Sequence, residues 1–268
     1  MAGVRIALGV EYAGDAFLGW QSQAHGQTVQ DVLERAIAQI AGHAVRLHCA
    51  GRTDAGVHAT AQVVHFDTSA ERPAQAWIRG VNALLPKAVA VLWAQAVDDE
   101  FHARYRACAR RYRYVLVNAP VRPALLAGRA GWTHWPLSLT TMQAVIGVLR
   151  GRHDFSSFRA TGCQAKTPIR TLHAAEVSRQ GACVVFDFYA NGFLHHMVRN
   201  LVGALVEVGA GRQSPEWLAA VLAARDRSRG APTFAAEGLY LCGVDYPPGW
   251  PLPGGGRIIR LPSPLLPS

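Results

Sequence analysis

The sequence predicts an α+β protein made of two related halves. Strand-like and helix-like patterns follow one another in the order β-α-β-β-α-β, and the second half of the chain repeats that order. Hydrophobic residues make up 50% of the 268 residues, enough to build one large or two modest domains. This order is typical of a ferredoxin-like unit, so we expect two ferredoxin-like halves whose mixed antiparallel sheets flank a basic cleft.

The first half, residues 1–104, carries the patterns of four strands and two helices. Strands are predicted over Val4–Tyr12, Ala44–Ala50, Gln62–Phe66 and Ala88–Ala96. Thr28 followed by Asp31 indicates a helix start, and apolar residues continue at helical spacing as far as Ile40. A second helical stripe over Ala74–Leu85 ends before Pro86.

The second half, residues 105–246, repeats the order with longer connections. Strands are predicted over Cys108–Asn118, Arg170–Ser178, Ala182–Tyr189 and Leu239–Asp245, and helices begin near Ser138, Leu194 and Ser214. The polar stretch Gly151–Thr167 is typical of a loop. Residues 247–268 are rich in Pro and Gly, and we expect them to form an extended surface tail.

The charge of the chain indicates a polyanionic partner. The formal net charge is +9 and the isoelectric point lies near 9.8. Arginines and tyrosines are interleaved in one short stretch: Arg104, Tyr105, Arg106, Arg110, Arg111, Tyr112, Arg113 and Tyr114. Cations for phosphates beside aromatic rings for bases are typical of nucleic-acid binding.

The same composition argues against several other classes of protein. The longest apolar runs stop well short of the roughly 20 residues of a membrane span, and the start of the chain lacks the features of a signal peptide. We therefore expect a cytoplasmic protein without a membrane partner. The five cysteines are scattered singly, which predicts isolated buried thiols rather than a metal site or disulfides.

The run Gly51–Ala59, Gly-Arg-Thr-Asp-Ala-Gly-Val-His-Ala, lies on a connection between two predicted strands. Its Asp54 followed two residues later by Gly56 is in itself ordinary turn chemistry. The whole run, however, resembles the signature of the tRNA pseudouridine synthase A family. The resemblance implies that Asp54 is the catalytic residue, acting as nucleophile or base. Arg52, or an arginine from another element, is expected to keep this carboxylate ionised.

Three further segments resemble motifs of the same family, in the family's order. Tyr12–Gln23 is similar to its N-terminal motif, although Ala13 stands where an Asp is usual. Asn191–Asn200 is similar to a motif whose arginine, here Arg199, pairs with the catalytic Asp. Gly238–Leu241 resembles the last motif, which implies that Leu239 and Leu241 help to form the wall of the substrate pocket. It is an equally good interpretation that both leucines simply pack in the core.

Two tyrosines compete for contact with the target base. Alternation along the strand places Tyr112 and Tyr114 on one face and Arg111 and Arg113 on the other, but it does not choose between the tyrosines. The resemblance implies that Tyr112 contacts the uracil. For Tyr114 we expect packing within the sheet.

The histidines give weaker indications of function. His58 and His102 lie beside motif or basic residues, and a structural role is the favoured interpretation of both. His195 and His196 are adjacent and would point to different helix faces, which makes them a poor metal pair. We therefore expect no metal in the site.

The resemblance implies one function, and two alternatives remain open. It implies isomerisation of uridine to pseudouridine at positions 38, 39 and 40 in the anticodon stem-loop of tRNAs, by a homodimer that needs no cofactor. A non-catalytic RNA-binding protein would share the basic and aromatic strands but would not need the Asp54 loop. An N-glycosidase would also use one carboxylate, and it would release free uracil.

Overall fold

The computed structural model describes residues 3–253, which form two compact units. The first unit comprises the described residues up to Cys108 together with those from Tyr240 onward, and the second runs from Ala109 to Leu239. Each unit combines helices with a mostly antiparallel sheet, so the α+β class is confirmed. In the described residues, no helix is both long enough and apolar enough to cross a membrane.

The first unit contains strands β1 to β4 and most of β10. These are β1 (Val4–Tyr12), β2 (His48–Cys49), β3 (His58–Thr68), β4 (Val89–Val97) and β10 (Leu239–Asp245). β1 pairs with β4 and β3, and β2 pairs with β3, all antiparallel. β3 is longer than the predicted strand and begins directly after the Asp54 loop, whereas the pairing of β2 covers two residues only.

The last strand belongs with the first unit rather than with the second half to which the sequence pattern assigned it. Tyr240 and Leu241 pair in parallel with His58 and Ala59 of β3. The backbone N–H of Cys108 also donates to the carbonyl of Asp245, 2.8 Å away. Residues 105–108 also fall in the first unit, although the sequence pattern placed them in the second half. Pairing partners so far apart along the chain leave no local sequence pattern.

The helices of the first unit follow their local signals. Helix α1 (Val29–Ala41) begins at Thr28, whose side chain accepts the N–H of Asp31, and it ends at Gly42 in the left-handed region. The predicted second helix forms over residues 74–84, with one turn of π-helix, Ala76–Gly80, in its middle and α2 (Val81–Leu84) at its end. Trp77 on the π turn is buried, so this segment still covers the sheet.

The second unit contains a sheet of five strands in the order β6-β5-β9-β8-β7. The strands are β5 (Ala109–Asn118), β6 (Gly131–Thr133), β7 (Gly151–Asp154), β8 (Ile169–Gln180) and β9 (Cys183–Ala190). Only the short β6 runs parallel to its neighbour. The predicted loop over Gly151–Thr167 is wrong at its start, because Gly151 to Asp154 pair with β8 despite their polar sequence.

Three helices pack in the second unit. They are α3 (Leu139–Ile146), α4 (Met197–Gly209) and α5 (Trp217–Ala224). Ser138 caps α3 by accepting the N–H of Thr141, as its position predicts. α4 is buried along most of its length, which explains its nearly continuous apolar sequence.

Candidate active site

Asp54 lies on a turn between β2 and β3 whose backbone is fixed at several points. The N–H of Val57 donates to the carbonyl of Asp54 at 3.1 Å, and Gly56 closes the turn with φ of 81°. The backbone N–H of Trp20 donates to the carbonyl of Thr53 at 3.0 Å. Asp54 itself is half-buried. The loop therefore presents a carboxylate that is held in place and yet reachable from solvent.

Gln62 binds the start of this loop through both ends of its amide. Its Nε2 donates to the carbonyl of Gly51 at 2.7 Å, and its Oε1 accepts the N–H of Gly51 at 3.3 Å. Nε2 also lies 3.3 Å from the hydroxyl of Tyr12, which in turn shares a 2.8 Å hydrogen bond with Thr53 Oγ1. Sequence reasoning missed Gln62. The available signal was a polar residue within the apolar run of β3.

The N-terminal motif packs directly against the Asp54 loop, which explains its glycines. A Cβ on Gly14 would lie 1.9 Å from the carbonyl oxygen of Val57, so no side chain fits there. Gly19 has φ of 91°, and a Cβ on it would lie 3.1 Å from the carbonyl oxygen of Thr53. Ala13, where the family pattern usually has Asp, donates its backbone N–H to the carbonyl of Ala88 at 2.8 Å.

His58 at the end of the loop has a structural role, as the sequence interpretation favoured. It is 2% exposed, and its Nδ1 accepts the backbone N–H of Gly14 at 2.9 Å. Its ring stacks on Tyr240 with 4.6 Å between centroids. The imidazole thus joins the loop, the N-terminal motif and β10.

The cysteine nearest to Asp54 along the chain offers no alternative nucleophile. Cys49 is buried at the end of β2, and burial raises the pKa of its thiol to about 12, although Arg52 acts in the opposite direction. Cys183 and Cys242 are buried as well, whereas Cys108 is exposed and Cys163 is partly exposed. The prediction of buried thiols is therefore wrong for these last two, which lie outside the sheet cores.

In the second unit, Tyr112 and Tyr114 occupy very different environments. Tyr112 is half-buried and meets Phe193 edge to face, with 5.0 Å between centroids. Tyr114 is fully buried, and its hydroxyl donates to the carbonyl of Ala235 at 3.0 Å. A Cβ on Gly131 would lie 2.1 Å from that hydroxyl, which shows how closely the ring is enclosed. Tyr114 is a packing residue, and Tyr112 is the more accessible tyrosine of the pair.

The arginines of β5 are held by specific partners. Arg113 forms two hydrogen bonds with the carboxylate of Asp187, at 2.8 and 2.9 Å. The guanidinium of Arg111 lies 4.0 Å from the ring centroid of Tyr189. These contacts give each guanidinium a defined position on the face opposite Tyr112.

Arg199 lies in the first turn of α4, where its backbone and side chain both contact Phe234. Its Nε donates to the carbonyl of Phe234 at 2.8 Å, and its own carbonyl accepts the N–H of Phe234 at 3.4 Å. The next residue, Asn200, is buried, and its amide binds the carbonyl of Phe158 and the hydroxyl of Thr233. The start of α4 is therefore closely fixed to residues 233–234. Sequence reasoning missed Asn200.

The remaining predicted site residues divide between the two units. Arg52 is exposed, two residues before Asp54. Leu239 is 6% exposed and Leu241 is fully buried, so both side chains also meet the requirements of core packing. The structure thus groups Asp54 and Arg52 on one loop of the first unit, whereas Tyr112 and Arg199 belong to the second.

Comparison with known proteins identifies the family. A family model described as tRNA pseudouridine synthase matches residues 9–106 and 146–247. The chain is similar to tRNA pseudouridine synthase A of Aromatoleum aromaticum, with 66% identity over 97% of this chain and 98% of that protein. The proteins of the same name from Dechloromonas aromatica and Methylobacillus flagellatus are 58% and 55% identical, over 93% and 96% of this chain and 95% and 99% of theirs. The chain belongs to the tRNA pseudouridine synthase A family of isomerases.

Proposed function

We propose that this chain converts uridine to pseudouridine at positions 38, 39 and 40 of the anticodon stem-loop of tRNAs, with Asp54 as the catalytic carboxylate. The isomerisation in tRNA follows from membership of the family, and the choice of residue rests on one observation. Asp54 is a half-buried carboxylate on a loop whose neighbouring backbone is fixed by Gln62, Trp20 and Gly56. Such fixed placement on rigid elements is what catalysis requires.

The reaction needs one carboxylate and no redox group. The bond between C1′ of the ribose and N1 of uracil breaks, the base turns, and a new bond joins C1′ to C5. The proton on C5 is released, and N1 takes up a proton, so the product has the composition of the substrate. We propose that ionised Asp54 acts as nucleophile or base in this sequence. Arg52 and Arg199 are proposed to bind the substrate.

Tyr112 is the proposed contact for the uracil ring. The target nucleotide must leave its stack, at a cost of roughly a few kcal/mol. Stacking on an aromatic ring offsets about 1 to 3 kcal/mol of that cost. The half-buried ring of Tyr112, steadied by Phe193, supports this role, and the burial of Tyr114 removes its competitor. Leu239 and Leu241 are proposed as apolar walls of the same pocket.

The finer architecture forms part of the same proposal. We propose two ferredoxin-like halves, a basic cleft that holds tRNA, and a homodimer that acts in the cytoplasm, where its substrate is found. The strand order β4-β1-β3-β2 supports a ferredoxin-like arrangement of the first unit, because one helical segment follows β1 and another follows β3.

The decisive experiment measures tritium release from unmodified tRNA labelled at C5 of uracil. Wild-type protein should release tritium while the base stays attached to the RNA, and Asp54→Asn should bind tRNA without release. Glu71→Gln, which changes an exposed carboxylate of the same unit, is the matched control and should behave as wild type. Release by Asp54→Asn would contradict the role of Asp54, and free uracil in the wild-type reaction would indicate hydrolysis instead.

A further inference from the structure

The segment Phe101–Arg106, which follows β4, presents an aromatic ring to solvent. Tyr105 is 75% exposed, and its ring centroid lies 4.3 Å from that of His102. The guanidinium carbon of Arg104 lies 5.7 Å from the centroid of the Tyr105 ring. A large ring and a cation that lies over it are thus displayed together at the surface of the first unit.

The backbone beneath this ring is bound to the sheet. Nδ1 of His65, a residue of β3 that is 2% exposed, accepts the N–H of Ala103 at 3.1 Å. The hydroxyl of Tyr246 donates to the carbonyl of the same residue at 2.7 Å. Nη1 of Arg5 donates to the carbonyl of Phe101 at 2.8 Å. The position of the segment is therefore set by three side chains from outside it.

The imidazole of His102 fixes the residues that carry the exposed groups. Its Nδ1 accepts the backbone N–H groups of Arg104 and Tyr105 at 3.1 and 3.2 Å. Its ring also contacts those of His65 and His48, with centroids 4.6 and 5.3 Å away. His48 and His65 stack on each other at 5.0 Å. Tyr105 thus ends a continuous ladder of rings that begins inside the sheet.

We propose that Tyr105 and Arg104 form a second RNA contact, at which the ring stacks on a base of tRNA and the guanidinium binds a neighbouring phosphate. This inference rests on the proposed function, because it takes tRNA as the substrate. A fixed aromatic ring beside an arginine is the arrangement by which proteins hold unpaired nucleotides. The net charge of +9 favours the same polyanion.

We expect this contact to involve a nucleotide other than the target uridine. β3 begins at His58, next to the Asp54 loop, and His65 lies seven residues further along the strand. At about 3.3 Å per residue the two histidines are about 23 Å apart. One nucleotide does not span that distance. The contact is therefore expected to add to affinity without touching the reacting atoms.

Arg106, at the end of the segment, makes its contacts within the protein. Arg106 pairs with Glu100 at 3.4 Å, and its guanidinium lies 5.3 Å from the ring centroid of Trp250. These bonds steady the end of the segment. Because Arg106 already has partners within the protein, the tests below change Tyr105 and Arg104.

The test compares the dissociation constant of tRNA for Tyr105→Ala, Tyr105→Phe and wild type. Loss of a stacked ring should weaken binding by about five- to tenfold or more, whereas Phe should stay within about twofold. The single-turnover rate of tritium release at saturating enzyme should be unchanged in both variants. Leu84→Ala, which truncates an exposed apolar residue of the same unit, is the control and should bind as wild type.

A second variant tests the phosphate contact separately. Arg104→Ala should reduce the slope of log K against log[salt] by roughly 0.7 to 0.9, because one phosphate is no longer neutralised, while Tyr105→Ala should leave the slope unchanged. Unchanged affinity in Tyr105→Ala would overturn the inference, and so would a loss of affinity that accompanies a change in oligomeric state on gel filtration. Absence of tritium release from wild type would instead contradict the proposed function.

Discussion

Gln62 shows how one buried side chain can shape the candidate site. A primary amide has two donors and an acceptor, and Gln62 uses both kinds of group on Gly51 and a donor on Tyr12. A buried amide left without partners would destabilise the fold, so these bonds also explain why the residue is tolerated in an apolar strand. The consequence is a fixed Gly51, three residues before Asp54.

Replacement of Tyr112 tests its proposed contact with the uracil. Tyr112→Ala should lower the single-turnover rate of tritium release about fivefold to more than a hundredfold, because the uracil loses a stacking surface worth about 1 to 3 kcal/mol. Tyr112→Phe keeps the ring and should retain most of the rate.

Thermal unfolding of both Tyr112 variants separates a stacking role from a packing role. The ring meets Phe193 edge to face, so Tyr112→Ala also removes some packing. A normal rate in a folded Tyr112→Ala protein would leave β5 without a base contact, since Tyr114 is fully buried.

Among the elements, the segment from Phe101 to Arg106 depends on a neutral histidine. Nδ1 of His65 accepts a backbone N–H, which it can do only while that nitrogen carries no proton. The pKa of His65 is lowered to about 3, chiefly by burial and to a smaller extent by the nearby His102, His48 and Arg5, whereas Asp67 acts in the opposite direction. Burial lowers the pKa of His102 as well.

These pKa values predict a loss of stability in mild acid. Because the folded-state pKa of His65 lies below the ordinary value of 6.5, its contribution is complete above about pH 6.5 and is lost as the pH falls toward 3. The free energy of unfolding should fall by up to about 1.4 kcal/mol per pH unit in this range. Urea unfolding at pH 7 and pH 5 measures this change in the free energy of unfolding. Both pH values lie above the range in which carboxylates titrate.

Removing the imidazole should remove the pH dependence. His65→Gln should be less stable than wild type at pH 7 but should show a flatter response between pH 7 and pH 5. His173→Gln, at an exposed position of β8, should keep the wild-type response. An undiminished response in His65→Gln would assign the effect to other groups.

Local patterns predicted most of the elements. The predicted bounds of β1 and β10 are those observed, and Thr28 and Ser138 marked the starts of α1 and α3. What the sequence could not predict depends on partners that are distant along the chain. β7 is polar and forms only because β8 is available to pair with it, and β10 joins the first unit through a parallel pairing with β3.

The contacts that support Asp54 also come from residues outside its own motif, and the sequence did not predict them. Asp54 was found through a motif, whereas its supports were not. Gln62 lies eight residues later on a strand, and the role of Gly14 appears only when Val57 is packed against it. The hydrophobic periodicity of the sequence does not predict such contacts, because each one involves a single residue and a backbone group of another element.

For the whole molecule, charge is the property that bears on tRNA binding. The chain has 27 Lys and Arg against 18 Asp and Glu. Several arginines are paired internally, among them Arg5 with Asp67 and Arg113 with Asp187. Such pairs neutralise charge of both signs equally, so the surplus of +9 is left to act on the surroundings. A surplus of this kind steers a polyanion toward the protein and screens steeply with salt.

The binding of tRNA should therefore weaken strongly as salt is added. Each neutralised phosphate contributes a slope of roughly −0.7 to −0.9 to log K against log[salt], so six contacts would lower affinity about a thousandfold between 50 and 200 mM salt. Filter binding over this range gives the slope. Asp54→Asn should show the wild-type slope, because a carboxylate does not neutralise phosphate. A flat response would mean that apolar and hydrogen-bonding contacts carry the affinity, which would contradict an arginine-lined tRNA surface.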